Sequence, residues 1–393
     1  MIPSDSPIYS GRVQPALGFD FVQSPGLVAG RGGQTITFTR ATSAWYFNSA
    51  GNLVDAGSGN PRFDYNPVTL DARGLLMEEA RTNLLLWNRD LTNVAWTPTS
   101  ITPLKNITGL DGSANSASRI TATGASGTLL QIVTSASATR ISTAYVKRLT
   151  GTGTIEMTQN GGTLWTDITS SINASTWTRV GVPSATVTNP SVGFRITTST
   201  DAIAVDGVQL ESNDCSTSVI LTTTVAFTRN TDSALINTIT PWYNQSEGTI
   251  VWVGDVSATT TDATTRAMIA IGDPALAFGS AEAHYIARSA GSANITLNIL
   301  DGGVSQVGSI GGAATVDTVF KVAACYKLND CAVSMNGAAA VTDVVATMPT
   351  PTACSLGNTT NAWTGGSNPL NGHIRSLAYY PRSLKNQLPQ LST

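Results

Sequence analysis

The sequence predicts an all-β protein built from short antiparallel strands. Charged residues make up only 12% of the 393 residues, whereas 41% are hydrophobic, and this is not the composition of a disordered chain. Short apolar runs alternate with turns rich in Gly, Ser and Asn, which is the spacing of a β-sandwich or jelly roll. The sequence shows no repeat of roughly 20 to 50 residues, so neither a solenoid nor a propeller is expected.

The first 83 residues are predicted to form an N-terminal arm and an anchoring segment. Residues 1 to 33 are rich in Pro, Gly and Ser, so we expect them to become ordered only against a partner. Ile36 and Phe38 then alternate with threonines, which predicts a half-buried strand. The turn formers at residues 49 to 52 predict a hairpin.

Residues 74 to 96 hold the densest mixture of apolar, charged and amide side chains in the chain. The apolar run Leu75, Leu76 and Met77 is followed by charges, and it is too short for its periodicity to distinguish a strand from a helical turn. We interpret this stretch as the place where separate parts of the chain are tied together.

Residues 84 to 224 are predicted to fold as a β-sandwich of their own. In residues 191 to 197, apolar side chains alternate with polar or small ones, which predicts a strand with one buried face. In residues 202 to 211 the apolar phase is lost at Asp206 and Gly207 and then resumes. A change of phase at glycine predicts a β-bulge.

Residues 225 to 393 are predicted to form a second sandwich. Residues 248 to 256 are apolar on both faces, which predicts a central strand covered on both sides. Asp-Gly at 301 and Asn-Gly at 336 predict hairpin turns, and one helix of about two turns is expected after Pro381. Because this stretch supplies its own strands and turns, we expect residues 234 to 393 to fold without the rest.

Charge and hydropathy exclude several classes of partner. The net charge is −3 and Lys and Arg are not clustered, which argues against nucleic acid and against charge-driven binding to membrane surfaces. No apolar run approaches the roughly 20 residues that cross a bilayer. The first residues lack the basic and apolar regions of a signal peptide. We therefore expect synthesis in the cytoplasm, without membrane insertion.

The four cysteines show neither metal-ligand spacing nor a disulfide framework. Cys325 and Cys331 invite a hairpin disulfide, but a turn at Asn329 and Asp330 would place them out of register. We predict that all four, Cys215, Cys325, Cys331 and Cys354, are free and that most are buried as small apolar groups.

The sequence predicts no catalytic residue and no cofactor. Glycoside hydrolysis needs two carboxylates roughly 5 to 9 Å apart, whereas Glu78 and Glu79 are adjacent and would point apart on a strand. The sequence contains no Gly-x-Ser-x-Gly motif, so there is no serine nucleophile of that kind for His284 or His373 to activate. The glycine-rich residues 302 to 312 lack the ending of a phosphate loop. Carboxylates far apart in sequence could still converge, so hydrolysis stays an alternative.

A metal site is likewise not predicted. Asp255, Asp262 and Asp273 fall near loops, and carboxylate groups in loops are common ligands of calcium. Their spacing is not that of a calcium-binding loop, so calcium remains only an alternative here.

Aromatic residues in predicted loops are the remaining candidates for a binding site. Sugar rings present apolar C–H faces, which stack on Trp or Tyr while amide groups add hydrogen bonds. Four residues combine these types: Trp242, Tyr243, Asn361 and Trp363. The alternative for each aromatic is a core position, since aromatic side chains contribute the largest burial energies.

Several short motifs follow one another in a fixed order along nearly the whole chain. They are FTRAT (38–42), GNLV (51–54), PRFDYNP (61–67), GLLMEEARTNLL (74–85), DGSANSASRI (111–120), STAYVKRL (142–149), STWTRV (175–180), IAVDGVQLE (203–211), TSVILT (217–222), FTRNTD (227–232), EGTIVWVGDV (247–256) and NGHIRSLAYYPRSL (371–384). This order resembles that of a family of tailed-phage virion proteins of the head-spike or tail-fibre type. The resemblance implies a carbohydrate-binding-module-like jelly roll followed by a laminin-G/concanavalin-like sandwich.

The resemblance implies a structural virion protein that presents a lectin-like surface to glycans of the host cell. It also implies a homo-oligomer, with a trimer expected, and contacts between the N-terminal arm and other virion proteins. A capsule or polysaccharide depolymerase is one alternative. A purely structural decoration protein without a ligand is the other.

Overall fold

The computed structural model shows an all-β protein, as the sequence predicts. It describes residues 13–257, 262–276, 280–344, 346–359 and 368–393. Within these ranges the strands that precede residue 84 are short: β1 (Leu17–Asp20), β2 (Thr37–Thr39), β3 (Trp45–Phe47), β4 (Leu53–Asp55), β5 (Phe63–Tyr65), β6 (Ala72–Met77) and β7 (Arg81–Asn83). Strands β3 and β4 form the predicted hairpin around residues 49 to 52.

A middle module follows, with strands up to 13 residues long. They are β8 (Thr97–Thr99), β9 (Ile101–Ile107), β10 (Ala117–Ala122), β11 (Gly127–Ile132), β12 (Ala138–Thr150), β13 (Ile155–Thr158), β14 (Thr166–Asp167), β15 (Thr178–Val187), β16 (Ser191–Ile196) and β17 (Ala202–Ser212). A 3-10 turn at Thr169–Ser171 interrupts them.

The last part of the chain contains β18 (Phe227–Arg229), β19 (Ser233–Ile236), β20 (Glu247–Gly254), β21 (Arg266–Gly272), β22 (Ala283–Arg288), β23 (Asn294–Asp301), β24 (Val304–Ala313), β25 (Phe320–Lys327), β26 (Cys331–Met335), β27 (Val341–Asp343), β28 (Ala353–Leu356) and β29 (Gly372–Tyr380). A 3-10 turn (Lys385–Gln387) and the one-turn helix α1 (Leu388–Leu391) come after β29. In the described part of the chain, no helix has the length and hydropathy that a membrane span requires.

The middle module is a sandwich of two five-stranded sheets. Their orders are β15-β12-β17-β10-β9 and β14-β13-β16-β11-β8. Val192, Phe194 and Ile196 of β16 are fully buried between the sheets, which confirms the predicted one-sided strand. The predicted bulge is confirmed as well, because the register of β12 against β17 shifts beside Gly207, whose φ is +57°.

The second sandwich packs an eight-stranded sheet against a seven-stranded one. The first has the order β27-β26-β25-β20-β29-β6-β5, with β1 also on β29, and the second has the order β2-β19-β28-β21-β22-β23-β24. Strand β20 lies between β25 and β29, which confirms the predicted central strand. One continuous core fills the space between these sheets and includes apolar residues from β1, β2 and β6.

The N-terminal segment is therefore part of the second sandwich. Leu17, Phe19 and Phe21 are buried in its core, and β1 pairs with β29 from Leu17 opposite Tyr379. The expectation that this segment orders only against a partner is wrong for residues 13 to 33, because the partner strand lies in the same chain. Residues 234 to 393 likewise do not contain a complete sandwich, since β1, β2, β5 and β6 complete its sheets.

The middle module is inserted into this sandwich through a two-stranded stem. Strand β7 enters the module and β18 leaves it, and the two pair from Asn83 opposite Phe227 to Arg81 opposite Arg229. The Asn83 side chain, fully buried, donates from Nδ2 to the carbonyls of Val208 and Ile220 at 3.0 Å each. One side chain of the stem thus bonds both β17 and the segment that follows it.

A network of buried ion pairs lies beside the stem. Arg62 is fully buried and donates to Glu78 and Asp232 at 2.6 Å each. Arg40 pairs with Asp232, and Arg229 with Glu78, both at 2.9 Å. Burial by itself would raise the pKa of Glu78, but the guanidiniums of Arg229 and Arg62 hold it well below its ordinary value. Removing one partner of a buried pair costs about 3–5 kcal/mol, so this network fixes how the segments fit together.

A second group of ion pairs continues from Glu79. Its carboxylate pairs with Arg266 at 2.9 Å and with Arg81, and Arg266 also binds Asp262 at 2.5 Å. Asn371, next to β29, donates to Glu79 at 2.8 Å. Glu78 and Glu79 therefore point to different partners, and the stretch from residue 74 connects separate parts of the chain as predicted.

The cysteine prediction is confirmed, since all four cysteines are free and buried. Cys325 pairs with Ala332 across β25 and β26, so it does stand out of register with Cys331. The turn itself differs from the prediction, because the hydrogen bond from the Asp330 amide to the Lys327 carbonyl makes Leu328 and Asn329 the turn residues. The predicted helix is shorter and begins later than expected, because the Arg382 carbonyl and the Leu384 amide bond the Thr249 hydroxyl of β20, and the helical turns start only at Lys385.

Candidate functional site

A cleft of about 380 Å³ lies where three parts of the chain meet. The β3–β4 hairpin forms one side, the first residues of the middle module form another, and the segment that leads to β18 forms the third. The lining residues are aromatic, charged and apolar: Trp45, Trp87, Arg89, Asp90, Lys105, Ser116, Leu221, Thr222, Thr223, Val225 and Phe227.

Three aromatic side chains line the cleft. Trp45, Trp87 and Phe227 are each half-buried, so each has one part packed in the protein and another part exposed. Such a ring can stack against the apolar face of a ligand while its packed edge holds it in position. The three rings come from β3, the turn after β7, and β18, and only the folded chain brings them together.

Trp87 adopts a backbone conformation that is uncommon for a bulky residue. Its φ is +50°, which costs on the order of 1–3 kcal/mol and persists only when the surroundings enforce it. The surroundings do so here: the Trp87 amide donates to the Thr223 carbonyl at 2.9 Å, and its carbonyl accepts from the Asp90 amide at 3.0 Å and from Trp96 Nε1 at 3.2 Å. Strain of this kind is concentrated at binding and catalytic sites.

Arg89 is held beside the aromatic rings by two carboxylates. It donates to both oxygens of Asp206, at 2.7 and 2.9 Å, and to Asp111 at 2.8 Å. Burial alone would lower the pKa of Arg89, but these carboxylates raise it above its ordinary value. Gly109 approaches this group so closely that a Cβ there would overlap Ser116, Arg89 and Asp206, which only glycine avoids.

The bulge in β17 explains the position of Asp206. This residue precedes Gly207, and the change of register at the bulge turns the Asp206 carboxylate towards Arg89, where it is fully buried. Bulges commonly re-aim a side chain beside a site. The sequence predicted the bulge but not the ion pair between Asp206 and Arg89.

The mouth of the cleft carries one further ion pair. Lys105 is exposed, and its Nζ lies 3.4 Å from Asp90 Oδ2. Burial would raise the pKa of Asp90, but the hydroxyl of Thr92 and the ammonium of Lys105 lower it below its ordinary value. Asp90 is therefore ionised at neutral pH and can accept hydrogen bonds.

Thr222 belongs to the lining of the cleft, but its hydroxyl is buried behind the surface. The residue is only 6% exposed, and its amide donates to Asn88 Oδ1 at 2.9 Å. Its Oγ1 is buried and makes no hydrogen bond within the described part of the chain. A buried polar atom without a partner is costly unless water or a ligand supplies one.

The predicted site residues lie elsewhere. Trp242 is 3% exposed and packs edge-on against Tyr379 at 5.0 Å between ring centroids. The expectation that Trp242 is exposed in a loop is wrong, because its ring fills the core of the second sandwich. Tyr243 packs against that core and its hydroxyl bonds His284, so ligand binding by Tyr243 stays a prediction. Asn361 and Trp363 lie outside the described residues.

The two histidines serve as structural residues. His373 is 3% exposed, and its ring nitrogens are bonded to Asp255 at 2.9 Å and Asp64 at 3.0 Å. His284 is fully buried and stacks on Tyr326 at 4.2 Å, and burial lowers its pKa to about 3. His284 Nδ1 has no hydrogen-bond partner among the described residues, but its burial keeps it from a substrate.

The aspartates considered for calcium have other partners. Asp255 binds His373, Asp262 binds Arg266 and Arg288, and Asp273 accepts from the Ala275 amide at 2.8 Å. Across the described ranges, no group of three or more His, Cys, Asp or Glu side chains is arranged to hold a metal ion. Calcium binding by this chain gains no support from these positions.

The sequence offered one weak signal for the cleft. Trp87 stands in the run LWNRD, where an aromatic ring is followed by amide and charged residues. Trp45 and Phe227 are flanked by ordinary strand residues, and their approach to Trp87 depends on the hairpin and the stem. A site assembled from residues so far apart in the chain is not visible in a motif.

Comparisons with known proteins do not assign the chain to a family. No family model matches it, and no curated protein matches it. Among solved structures, a leech intramolecular trans-sialidase is 16% identical over 38% of this chain and 23% of its own, with a TM-score of 0.28. The tandem CBM22 domain of Xyn10C from Paenibacillus barcinonensis is 9% identical over 76% of this chain and 97% of its own (TM-score 0.25). Domains LG4-5 of the mouse laminin α1 chain are 9% identical over 77% and 88% (TM-score 0.24). Likenesses this low carry no argument about a ligand or an activity.

Proposed function

We propose that this protein binds glycans through the cleft between the β3–β4 hairpin and the middle module, without cleaving them. The cleft carries the proposal. Its aromatic rings can stack on the C–H faces of a sugar, and Asp90 and Lys105 can bond the hydroxyl groups.

A non-hydrolytic role agrees with the composition of the cleft. Hydrolysis of a glycosidic bond uses two carboxylates on either side of that bond. Among the described residues that line the cleft, Asp90 is the only one with a carboxylate. Asp111 and Asp206 lie nearby, but both are engaged by Arg89, so neither is free to serve as acid or nucleophile.

We further propose that the protein is a virion component of a tailed bacteriophage, a head spike or a tail fibre. The motif order along the chain supports this proposal. We also propose that it is a homotrimer that adheres to host-surface glycans. Several weak sites on one particle would raise its avidity by roughly 10² to 10⁴. Electron microscopy of the particle with a labelled protein tests the location, and light scattering tests the trimer.

Glycan binding is tested by replacing Trp87. Trp87→Asn removes the ring while keeping a residue that tolerates positive φ, so the backbone of the turn stays intact. Binding on an array of bacterial glycans should fall by roughly tenfold or more, because the stacking of a sugar ring on this aromatic ring is lost. The melting temperature should change little, which a thermal scan of the same sample checks.

Trp165→Ala is the matched control. Trp165 is also half-buried in the middle module, but it stacks under Arg195 at 4.6 Å on the sheet that contains β14 and β16, away from the cleft. Its replacement should leave glycan binding unchanged. If Trp87→Asn binds glycans as the unchanged protein does, the cleft is not the site; if neither protein binds any glycan, the structural role without a ligand is favoured.

A further inference from the structure

The charges around the cleft differ from those of a site for acidic sugars. Two cations line it, Arg89 and Lys105, and three carboxylates lie against them, Asp90, Asp111 and Asp206. The single positive charge of Arg89 therefore faces two negative charges, those of Asp206 and Asp111. A negative ligand approaching this group meets a local excess of negative charge.

The hydrogen-bonding capacity of Arg89 is nearly used up. Its Nε donates to Asp206, and its Nη2 donates to Asp206 and to Ser116 at 3.1 Å. Nη1 donates to Asp111, and a guanidinium has five N–H groups, so one N–H remains. The paired fork that recognises a carboxylate is already occupied by the Asp206 carboxylate.

Lys105 is the other cation, and Asp90 competes for it. A ligand carboxylate could reach the Lys105 ammonium only by displacing Asp90 or by lying beside it as a like charge. Like charges at contact distance disfavour binding. A hydroxyl group meets no such conflict, because it donates to Asp90 and accepts from Lys105 at the same time.

Asp90 and Lys105 therefore suit the hydroxyl groups of a neutral sugar. Together with the aromatic rings, these contacts match a ring that has apolar faces and hydroxyl edges and carries no charge.

We infer that the cleft selects uncharged sugars and discriminates against sugars that carry a carboxylate. The inference rests on the proposed glycan binding at this cleft and adds the chemical class of the ligand. It assigns the discrimination to Asp90, Asp111 and Asp206 and leaves the linkage of the sugar open.

The test uses the full chain on an array of neutral and acidic bacterial glycans. It adds two matched pairs that differ only in the oxidation of C6: cellohexaose against its glucuronate hexamer, and β-1,4-mannohexaose against its mannuronate hexamer. Neutral glycans should be retained, and any acidic counterpart of a bound glycan should bind roughly tenfold more weakly, because the net negative charge around the cleft repels it. An acidic glycan that binds as tightly as its neutral counterpart, or more tightly, overturns the inference and leaves glycan binding in place.

Asp90→Asn tests the cause of the discrimination. It removes one carboxylate and frees Lys105 from its ion pair. The ratio of the affinities for the neutral and the acidic glycan should therefore decrease by at least roughly threefold. Asp167→Asn is the control, since Asp167 is exposed on β14 and its replacement changes the net charge equally without touching the cleft. Equal narrowing in both variants overturns the assignment to the cleft. If the unchanged protein binds no glycan of either class, the proposed function itself fails, and this inference fails with it.

Discussion

His373 is bonded by two carboxylates that are distant from each other in the sequence. Asp64 lies on β5, near the start, and Asp255 follows β20, while Arg73 lies 3.8 to 3.9 Å from the same two carboxylates. Burial alone would lower the pKa of His373, but Asp255 and Asp64 raise it to about 9. The charged imidazolium thus joins the N-terminal strands to β29.

This contact predicts a loss of stability at alkaline pH. The pKa of His373 is higher in the folded protein than its ordinary value of 6.5, so its contribution is complete below pH 6.5 and is lost as the pH rises to about 9. The free energy of unfolding should fall by up to about 1.4 kcal/mol per pH unit in this window. Urea unfolding at pH 6.5, 7.5 and 8.5 measures it.

His373→Gln is the control for that series. Glutamine keeps a hydrogen-bonding side chain but does not titrate, so the variant should be less stable at pH 6.5 and should lose much less stability between pH 6.5 and 9. A variant with the same pH dependence as the unchanged protein would show that another group is responsible.

At the scale of single elements, β1 illustrates the role of long-range pairing. It occupies the edge of β29 next to β6 and buries Leu17, Phe19 and Phe21 in the core of the second sandwich. Without it, part of the β29 edge is unpaired and an apolar surface is exposed to water, which costs about 25 cal/mol per Å².

Truncation tests this element. Removing residues 1 to 33 should lower the melting temperature by many degrees and promote aggregation, because an unpaired apolar edge recruits other strands. Removing residues 1 to 12 leaves β1 in place and is the matched control. Calorimetry of both truncated proteins gives the answer; equal melting temperatures would mean that β1 contributes little to the sandwich.

The same element shows what a sequence can and cannot predict. Alternation predicted β16 and the burial of Ile36 and Phe38, and a change of phase at Gly207 predicted the bulge, because each depends on neighbouring residues. The role of β1 depends on β29, more than 350 residues later in the chain, and the run LGFDFV gives no sign of that partner. Trp242 was misplaced for a related reason: an aromatic residue near turn formers looks the same in sequence whether it faces solvent or a core.

The cleft was missed for the same physical reason. Its rings come from β3, the turn after β7, and β18, so its geometry depends on how the hairpin and the stem pack on the middle module. Phe47 and Leu53 of the hairpin pack with Leu110, Tyr145 and Val219 of the module. Only that packing brings Trp45 to Trp87.

At the scale of the whole molecule, the chain is a sandwich interrupted by a module. The ends of the stem, Asn83 and Phe227, are cross-strand partners, so a two-residue turn can join them. The second sandwich keeps all of its strands when residues 84 to 226 are absent.

Replacing residues 84 to 226 with Asn-Gly should therefore give a folded protein. It should be less stable than the full chain, because Ser218 of the removed segment bonds Glu78 at 2.6 Å and that support is lost. One cooperative thermal transition is the expected result. The fragment of residues 234 to 393, which lacks β1, β2, β5 and β6, should show none, and a cooperative transition in that fragment would contradict the proposed division of the chain.

The pairing of β1 with β29 also determines how the protein responds to force. Leu17 lies opposite Tyr379, so tension applied between these two ends of the sandwich pulls on neighbouring points of one antiparallel pair. The hydrogen bonds of such a pair run across the strands, and they break one after another as the strands peel apart. The middle module is entered and left through the stem, so it carries none of this tension. Under a rising pull the protein should release its first strand at low force while the module and its cleft remain folded.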